Sequence, residues 1–189
     1  MTIRFAKPED CPALLEIYGQ YINTSITFEY ALPTEREFAD RIALISSTYP
    51  YLVCEENNRI AGYAYAARHR DRAAYQWSAE LSVYLDRSST SKGLGRQLYT
   101  LLMDILELQG ITNVYGGVTV PNEKSEAFHK ALGFRILGSF HNVGFKDGEW
   151  RDVMWFEKAI GEYSPAPQPL VRIGDVPAEQ LREIMSPFA

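Results

Sequence analysis

The chain has 189 residues, a length that matches one globular domain better than two. Its 46% hydrophobic and 23% charged residues are ordinary for a globular protein, and the sequence has no apolar run near the ~20 residues of a membrane span, which excludes a membrane protein. The net charge is −5 and the basic residues are spread along the chain, so no nucleic-acid footprint is visible and a small-molecule substrate is favoured over a polyanion.

The N-terminal segment and the cysteines bear on the compartment. Residues 1–7 contain no apolar stretch of signal-peptide length. The only two cysteines, Cys11 and Cys54, suggest no disulfide framework. Together these features predict a cytoplasmic protein.

The first fifty residues predict a strand followed by two helices. Alternating apolar residues at 3–5 indicate a short strand, and apolar residues at helical spacing follow from Asp10. Thr34 and Glu37 form a capping box that predicts the start of a second helix. That helix is expected to end before Pro50.

Three strands are expected next. The apolar runs 51–54 and 60–67 flank a short polar loop and predict a hairpin. In the run 77–85, alternate residues separate into an apolar face and a face that carries Glu80 and Tyr84. We therefore expect one face of this strand in the core and the other to be polar.

The remainder predicts a helix, a strand, a helix and a hairpin. A long amphipathic helix follows Gly95 and should be capped by Gly110. A strand at 114–120 precedes a helix that Asn122 can cap. The pair Asp147-Gly148 indicates the turn of the last hairpin. Residues 1–160 are thus expected to form one domain, and the proline-rich residues 161–189 an extended surface tail with a helix only at 178–185.

A glycine-containing segment lies between a predicted strand and the long helix, and reads Lys92-Gly93-Leu94-Gly95-Arg96. The unbonded backbone N–H groups and the dipole of a helix N-terminus attract an anion, and glycine lets a phosphate approach. A plain tight turn is the alternative from the motif alone. Neither the P-loop pattern nor the dinucleotide-binding G-x-G-x-x-G fits, because Leu98 stands where the third glycine would be.

The element order and this loop resemble the GNAT acetyltransferase superfamily, whose loop pattern Q/R-x-x-G-x-G/A aligns with residues 90–95. Thr90 departs from the Gln or Arg of the pattern, which puts one side-chain contact to the pyrophosphate in doubt. The resemblance implies an α/β (α+β) fold with a mixed, mostly antiparallel central sheet flanked by helices on both faces. It also implies acetyl-CoA as co-substrate and no metal; the three histidines and two cysteines show no ligand spacing.

Several segments are similar to the phosphinothricin and methionine sulfone or sulfoximine acetyltransferase branch of that superfamily, which implies a homodimer. They are 24–28, 74–85, 121–125, 129–134 and 144–153.

The branch resemblance implies two catalytic residues. Glu80 resembles the catalytic glutamate that acts as general base on the amine, directly or through water; a solvated or ion-paired glutamate is the alternative. His129 stands where many GNAT enzymes carry a tyrosine acid and where this branch carries histidine. An imidazole can exchange a proton near neutral pH at the leaving thiolate or at the amine, but a structural histidine is the alternative.

The implied binding residues fall into a cofactor set and a substrate set. Asn122 is explained equally well as a helix N-cap, and Val83 and Leu85 are expected to place their side chains in the core. Arg72 can clamp a carboxylate, sulfone or phosphinate, although a solvated arginine is the alternative for each residue of this charged run. His69 is interpreted as a loop residue. The cofactor set is Val83, Tyr84, Leu85, Ser91, Lys92, Gly93, Leu94, Gly95, Arg96, Asn122 and Ser125, and the substrate set is Phe28, Arg70, Arg72 and Tyr75.

The expected function is N-acetylation of a small amino-acid analogue such as phosphinothricin, methionine sulfone or methionine sulfoximine. Acetylation of a polyamine, an aminoglycoside or a protein N-terminus remains an alternative, since the general GNAT signals would be the same. A binding module that keeps the acetyl-CoA site without catalysis is the third possibility, and the presence of Glu80 and His129 argues against it.

Overall fold

A computed structural model describes residues 1–188. The order of strands and helices predicted from the sequence is confirmed. Within these residues the strands are β1 (Thr2–Phe5), β2 (Tyr51–Glu56), β3 (Arg59–Arg68), β4 (Ser78–Leu85), β5 (Asn113–Val120), β6 (Arg135–Lys146) and β7 (Glu149–Ala159). The α-helices are α1 (Cys11–Gly19), α2 (Glu35–Ser46), α3 (Leu94–Leu108), α4 (Glu123–Ala131) and α5 (Ala178–Met185).

All of these strands belong to one sheet with the order β1-β2-β3-β4-β5-β7-β6. Neighbouring strands run antiparallel except for β4 and β5, which pair in parallel. The mixed, mostly antiparallel sheet expected from the resemblance is therefore confirmed.

Apolar side chains pack on both faces of the sheet. On the face that we call the α1/α2 face, Leu14 and Phe38 of the two helices pack with Val53 and Tyr63 of the strands. On the opposite face, the α3/α4 face, α3 contributes Leu98, Leu102 and other fully buried residues to a larger cluster. The helices thus flank the sheet on both faces, as predicted.

Strand β4 departs from the prediction on one face. Ala79 and Leu81 are buried on the α3/α4 face, as expected. The other face was predicted to be polar, but Tyr84 packs at 5.1 Å from the Tyr18 ring and 5.4 Å from the Tyr63 ring. The predicted alternation of the two faces is confirmed, but no local signal in the sequence indicates that α1 covers this end of the strand.

Several helix and turn ends follow the predicted local chemistry. Thr34 Oγ1 accepts from the Glu37 N–H, and Glu37 accepts in return from the Thr34 N–H at 2.8 Å, which completes the capping box. Gly110 has a φ of +87°, the left-handed conformation expected after a helix. Asp147 and Gly148 both have positive φ, as the tight turn between β6 and β7 requires. Helix α1, however, ends at Gly19, before the predicted apolar residues at 21 and 22.

Residues 162–169 are exposed and without helix or strand, as predicted for a surface tail, but from residue 170 onward the C-terminal segment packs against the domain. Gln109 Nε2 donates to the Thr48 and Val171 carbonyls at 2.7 Å each, and the Val171 N–H donates to the Gln109 carbonyl. Val176 is buried, and the predicted helix α5 is present and packs on α3. The division of the chain at residue 160 remains a prediction.

The helices and the two cysteines can also be compared with the sequence predictions on membrane spans and disulfides. No helix among residues 1–188 has both the length and the apolar content to cross a membrane. Cys11 and Cys54 are buried in the clusters on opposite faces of the sheet, and neither forms a disulfide within residues 1–188.

Candidate functional site

The parallel strands β4 and β5 separate partway along their length. They pair only from Ser78 with Asn113 to Glu80 with Tyr115, after which β4 stays with β3 and β5 stays with β7. A cleft opens between the diverging strands, and it is lined by β4 residues 81–84, by β5 residues 117–119 and by α3 and α4. Strand backbone that leaves its partner in this way has N–H and C=O groups available to a ligand.

Helix α3 begins beside the end of β4 with Gly93 as its N-cap. Gly93 has a φ of +84°, a conformation that glycine adopts without strain. The first N–H that bonds within the turn is that of Gln97, which donates to the Gly93 carbonyl at 3.2 Å. The N–H groups of Leu94, Gly95 and Arg96 precede this bond, so together with the helix dipole they can hold an anion.

The polar side chains around this loop contact different neighbours. Ser91 is exposed and has a φ of +63°, and Lys92 is half exposed with Nζ at 3.5 Å from Glu56 Oε2. Thr90, which departs from the family pattern, donates its hydroxyl to the Arg87 carbonyl at 3.1 Å. Arg96 donates to the Ala131 carbonyl at 3.2 Å and so bridges α3 to the end of α4.

Gly95 permits close packing where β4, α3 and α4 meet. A β-carbon on Gly95 would lie 3.4 Å from Phe128 Cε2 and 3.6 Å from Leu85 Cδ1. Leu94 is buried beneath the loop, whereas Val83 and Leu85 are half-buried and pack against the core. The side chains of these residues thus support the loop, and of these residues Val83 also lines the cleft.

Helix α4 brings Asn122, Ser125 and His129 to the cleft. Asn122 Oδ1 accepts from the Ser125 N–H at 3.2 Å, so the N-cap interpretation of Asn122 is confirmed. The Ser125 carbonyl accepts from His129 Nδ1 at 2.8 Å. The first turn of the helix therefore fixes the orientation of the His129 ring.

The His129 imidazole is 4% exposed and lies among aromatic rings. It stacks on Phe156 at 4.9 Å, and Phe134 and Tyr99 meet it edge to face. Because a carbonyl accepts from Nδ1, the proton is on Nδ1, and the lone pair of the neutral ring is on Nε2. Nε2 is buried and has no hydrogen-bond partner within residues 1–188. Desolvation by burial lowers the pKa of His129, so this neutral form is favoured.

Glu80 is at the last paired position of β4 before the cleft, on the face opposite to His129. Its Oε1 lies 2.9 Å from Nδ1 of His69, which follows β3 directly. His69 in turn stacks on Tyr115 at 4.3 Å, with an interplanar angle of 17°. The sequence interpretation of His69 as a loop residue missed this contact; its only signal was a histidine at the end of the strand that pairs with β4.

Three of the predicted substrate residues lie together on the β3–β4 loop. Arg70, Arg72 and Tyr75 are exposed, and the Tyr75 ring meets the His69 ring at 6.3 Å. Arg70 and His69 line a pocket with Phe140 and Trp155 from the last hairpin. This loop therefore places one cationic side chain, that of Arg70, beside His69, the partner of Glu80.

Phe28, the fourth predicted substrate residue, lies elsewhere, on the α1–α2 connection against Gly144 of β6. Lys146 holds this connection. Its Nζ is buried and donates to the carbonyls of Ile22, Thr27 and Glu29 at 2.8, 2.9 and 2.5 Å. The sequence prediction missed this anchor, because a lysine next to a hairpin turn is usually solvated.

Among residues 1–188, no three His, Cys, Asp or Glu side chains gather as metal ligands would. The chemistry available at the cleft is that of a helix N-terminus for an anion, a neutral imidazole, and a carboxylate on the opposite face of the sheet.

Comparison with known proteins agrees with this geometry. The family described as Acetyltransferase (GNAT) domain matches residues 3–155. The phosphinothricin N-acetyltransferase of Streptomyces viridochromogenes is 35% identical over 171 residues, which cover 90% of this chain and 93% of that protein. The L-methionine sulfoximine/L-methionine sulfone acetyltransferase of Salmonella typhimurium is 32% identical over 166 residues, 87% of this chain and 97% of that protein.

A solved structure shows the same fold with a ligand. The phosphinothricin acetyltransferase of Sinorhizobium meliloti in complex with acetyl-CoA superposes with a TM-score of 0.83 at 34% identity, over 89% of this chain and 92% of that one. The matched family, the two relatives and the solved structure are all described as acetyltransferases. The chain belongs to the GNAT acetyltransferases, and it is an acetyl-transferring enzyme related to the phosphinothricin and methionine sulfoximine N-acetyltransferases.

Proposed function

We propose that the chain transfers the acetyl group of acetyl-CoA to the amino group of a small amino-acid analogue such as phosphinothricin, methionine sulfone or methionine sulfoximine. The observation that carries the proposal is the position of Glu80. It is at the point where β4 and β5 separate, between the cleft and the arginine-bearing β3–β4 loop. The relatives named for these substrates add support at 32–35% identity.

The start of α3 and the cleft would hold the donor. The N–H groups of Leu94, Gly95 and Arg96 face outward from the helix start and are suited to a pyrophosphate. Ser91, Lys92 and Gly93 precede them on the exposed loop. The separated backbone of β4 at Val83, Tyr84 and Leu85 would line the pantetheine arm and polarise the thioester carbonyl, and Asn122 and Ser125 would line the same arm from α4.

Glu80 would act as the general base. Its carboxylate takes a proton from the substrate ammonium, so an N–H bond breaks and an O–H bond forms, and the free amine then attacks the thioester carbon. When the tetrahedral intermediate collapses, the C–S bond breaks and the electron pair leaves on the thiolate sulfur. The nitrogen loses its second proton in the same stage, and the thiolate takes up that proton through water, which leaves the N-acetyl product and the coenzyme A thiol. The proton on Glu80 is released to solvent, which its half-buried side chain can reach.

His129 would act as a proton acceptor rather than as the acid at the thiolate. Its Nδ1 proton is engaged by the Ser125 carbonyl and its lowered pKa favours the neutral ring, so only the Nε2 lone pair is available. The ring can therefore accept a hydrogen bond or a proton from a group in the cleft. A thiol with an ordinary pKa near about 8.5 leaves readily as a thiolate and can be protonated by water.

Arg70, Arg72 and Tyr75 would bind the polar end of the acceptor. A guanidinium donates two parallel hydrogen bonds to a carboxylate, sulfone or phosphinate, which a flexible ammonium cannot reproduce. Phe28 would contribute an apolar wall from the connection that Lys146 anchors.

The proposal also covers assembly and compartment. Strand β6 is an edge of the sheet, and its exposed apolar residues Ile136, Leu137, Phe140 and Val143 suit contact with a second copy, so we include a homodimer. Cys11 and Cys54 are buried and not in disulfides, which is compatible with the reducing cytoplasm. Sedimentation of the purified chain as a monomer at micromolar concentration would contradict the dimer.

The test of the catalytic proposal is Glu80→Gln, which keeps the side-chain shape and removes the base. Turnover with methionine sulfone at pH 7 should fall by roughly 10²-fold or more, while the Kd for acetyl-CoA stays constant. The loss should shrink at high pH, where the amine is already deprotonated. Glu183→Gln on the exposed face of α5 is the matched control. Wild-type turnover in Glu80→Gln at pH 7 would remove Glu80 from the mechanism.

A further inference from the structure

We infer that His69 is a positioning residue for the reaction: it holds the Glu80 carboxylate in the orientation in which Glu80 removes the proton from the acceptor amine. The inference rests on the proposed role of Glu80 as base. It is carried by the 2.9 Å contact between His69 Nδ1 and Glu80 Oε1 and by the aromatic surroundings of the imidazole.

The imidazole of His69 is itself fixed. Tyr115 stacks on its face with centroids 4.3 Å apart, and Tyr75 and Trp155 meet it edge to face at 6.3 and 6.1 Å. Only 14% of the His69 side chain is exposed, compared with 74% for His141 in its pair with Asp152. Aromatic contacts on three sides leave the ring little rotational freedom, so Nδ1 has a defined position.

The contact with Glu80 also determines which nitrogen of His69 carries the proton. An ionised carboxylate can only accept hydrogen bonds, so the contact requires that Nδ1 of His69 carries the hydrogen. One carboxylate oxygen of Glu80 is then held by His69, and the other, Oε2, is free for the substrate ammonium. A base must be within hydrogen-bond reach of the proton that it removes, and a carboxylate with one oxygen fixed meets that requirement more often than a freely rotating one.

A contribution to fold stability does not account for the contact between His69 and Glu80. The Glu80 side chain is 37% exposed, and an ion pair or hydrogen bond at such a site contributes little to stability because water screens and competes for it. The hydrogen bond between His69 and Glu80 therefore contributes little to the free energy of folding, and its effect is on the orientation of the Glu80 carboxylate.

The experiment compares two substitutions at His69. His69→Phe keeps a ring that can stack on Tyr115 but removes the donor, and His69→Asn places its Nδ2 hydrogen near the position of the His69 Nδ1 hydrogen. We expect His69→Phe to lower kcat for methionine sulfone by about tenfold, without changing the KM for acetyl-CoA. His69→Asn should recover most of the loss. His69→Leu is a second donor-free variant if His69→Phe does not fold.

A double-mutant cycle with Glu80→Gln tests whether His69 acts through Glu80. If it does, Glu80→Gln with His69→Phe should turn over no more slowly than Glu80→Gln alone. A further loss by the same factor in the double variant would overturn the inference, and so would wild-type kcat in folded His69→Phe and His69→Leu. A normal loss in Glu80→Gln with no effect at His69 would contradict this inference alone, whereas wild-type turnover in Glu80→Gln would contradict the proposed base and the inference with it.

Discussion

Gly116 lies directly under the imidazole of His129. A β-carbon at position 116 would be 2.5 Å from Nε2, a distance that real β-carbons essentially never show, and 3.0 Å from Cδ2 of that ring. The ring has no room to retreat, because Phe156, Phe134 and Tyr99 pack around it. Strand β5 can thus pass beneath His129 only with a glycine at this position.

Gly116→Ala is therefore expected to destabilise the protein by about 2 kcal/mol, the usual cost of forcing extra bulk into a packed core. Chemical denaturation of the wild type and the variant measures the loss. Gly117→Ala is the matched control, since its β-carbon would meet only ordinary contacts, the nearest at 3.5 Å to Val153 Cγ1. Equal stability of the two variants would show that the His129 ring is free to move.

The burial of His129 also predicts a pH dependence of stability. Burial lowers the pKa of this histidine in the folded chain, whereas in the unfolded chain it titrates near about 6.5. As the pH falls below about 6.5, His129 binds a proton in the unfolded state but not in the folded state. The free energy of unfolding therefore decreases with decreasing pH until the lowered pKa of the folded state is reached.

His129→Phe removes this titration and keeps an aromatic ring in the aromatic cluster. The stability difference between wild type and variant should be constant above about pH 7.5 and should move against the wild type as the pH falls, by up to about 1.4 kcal/mol for each pH unit. Denaturation curves from pH 8 to pH 5 measure it. Stability profiles that stay parallel through this range would contradict the buried, neutral histidine.

The two ends of α3 offer a matched test of the anion site. Gly93 and Gly110 have almost the same φ, +84° and +87°, and an added β-carbon would meet no atom of residues 1–188 within 4 Å at either position. Gly93→Ala and Gly110→Ala should each lower stability by about 1 kcal/mol through left-handed backbone strain. Only Gly93→Ala should raise the Kd for acetyl-CoA, by about tenfold. Isothermal titration measures it, and an equal Kd in both variants would place the pyrophosphate elsewhere.

Local rules in the sequence predicted the element order, and they did so for identifiable reasons. The Thr34–Glu37 capping box, Gly110 and the Asp147-Gly148 turn each act within a few residues, so their signals are readable without the fold. The contact between His69 and Glu80 and the anchoring of residues 22–29 by Lys146 join segments that are distant in the sequence. Packing alone creates these contacts, and the docking of the C-terminal segment on Gln109 is missed for the same reason.

In the candidate site, too, some features carry a local sequence signal and others depend on contacts between distant segments. The helix start at Gly93 and the cap at Asn122 carry local signals, and both lie where the sequence predicts them; the binding of an anion at Gly93 stays a prediction. His129 lines the cleft and Glu80 is at the last paired position before it, on the other face of the sheet; this arrangement follows from the separation of β4 and β5, which strand alternation cannot predict.

Arg72 tests the acceptor pocket. Because Arg72 is exposed on the β3–β4 loop, Arg72→Ala should leave the fold intact and raise the KM for methionine sulfone while that for acetyl-CoA stays constant. Loss of a charge-assisted contact of about 2 kcal/mol corresponds to roughly thirtyfold in kcat/KM, and Arg72→Lys should recover only part of it. Arg182→Ala on α5 is the control. An equal effect of Arg72→Ala on methionine sulfone and spermidine would make Arg72 a surface residue.

The proposed activity is tested by release of the coenzyme A thiol when the wild-type chain is given acetyl-CoA and each of four acceptors: L-methionine sulfone, L-phosphinothricin, spermidine and an aminoglycoside. We expect kcat/KM for at least one of the two amino-acid analogues to exceed that for spermidine and the aminoglycoside by at least about 10²-fold, the scale of a lost charge-assisted clamp. Preferred turnover of spermidine or the aminoglycoside would contradict the proposed acceptor, and binding of acetyl-CoA without turnover of any acceptor would contradict the proposed catalysis.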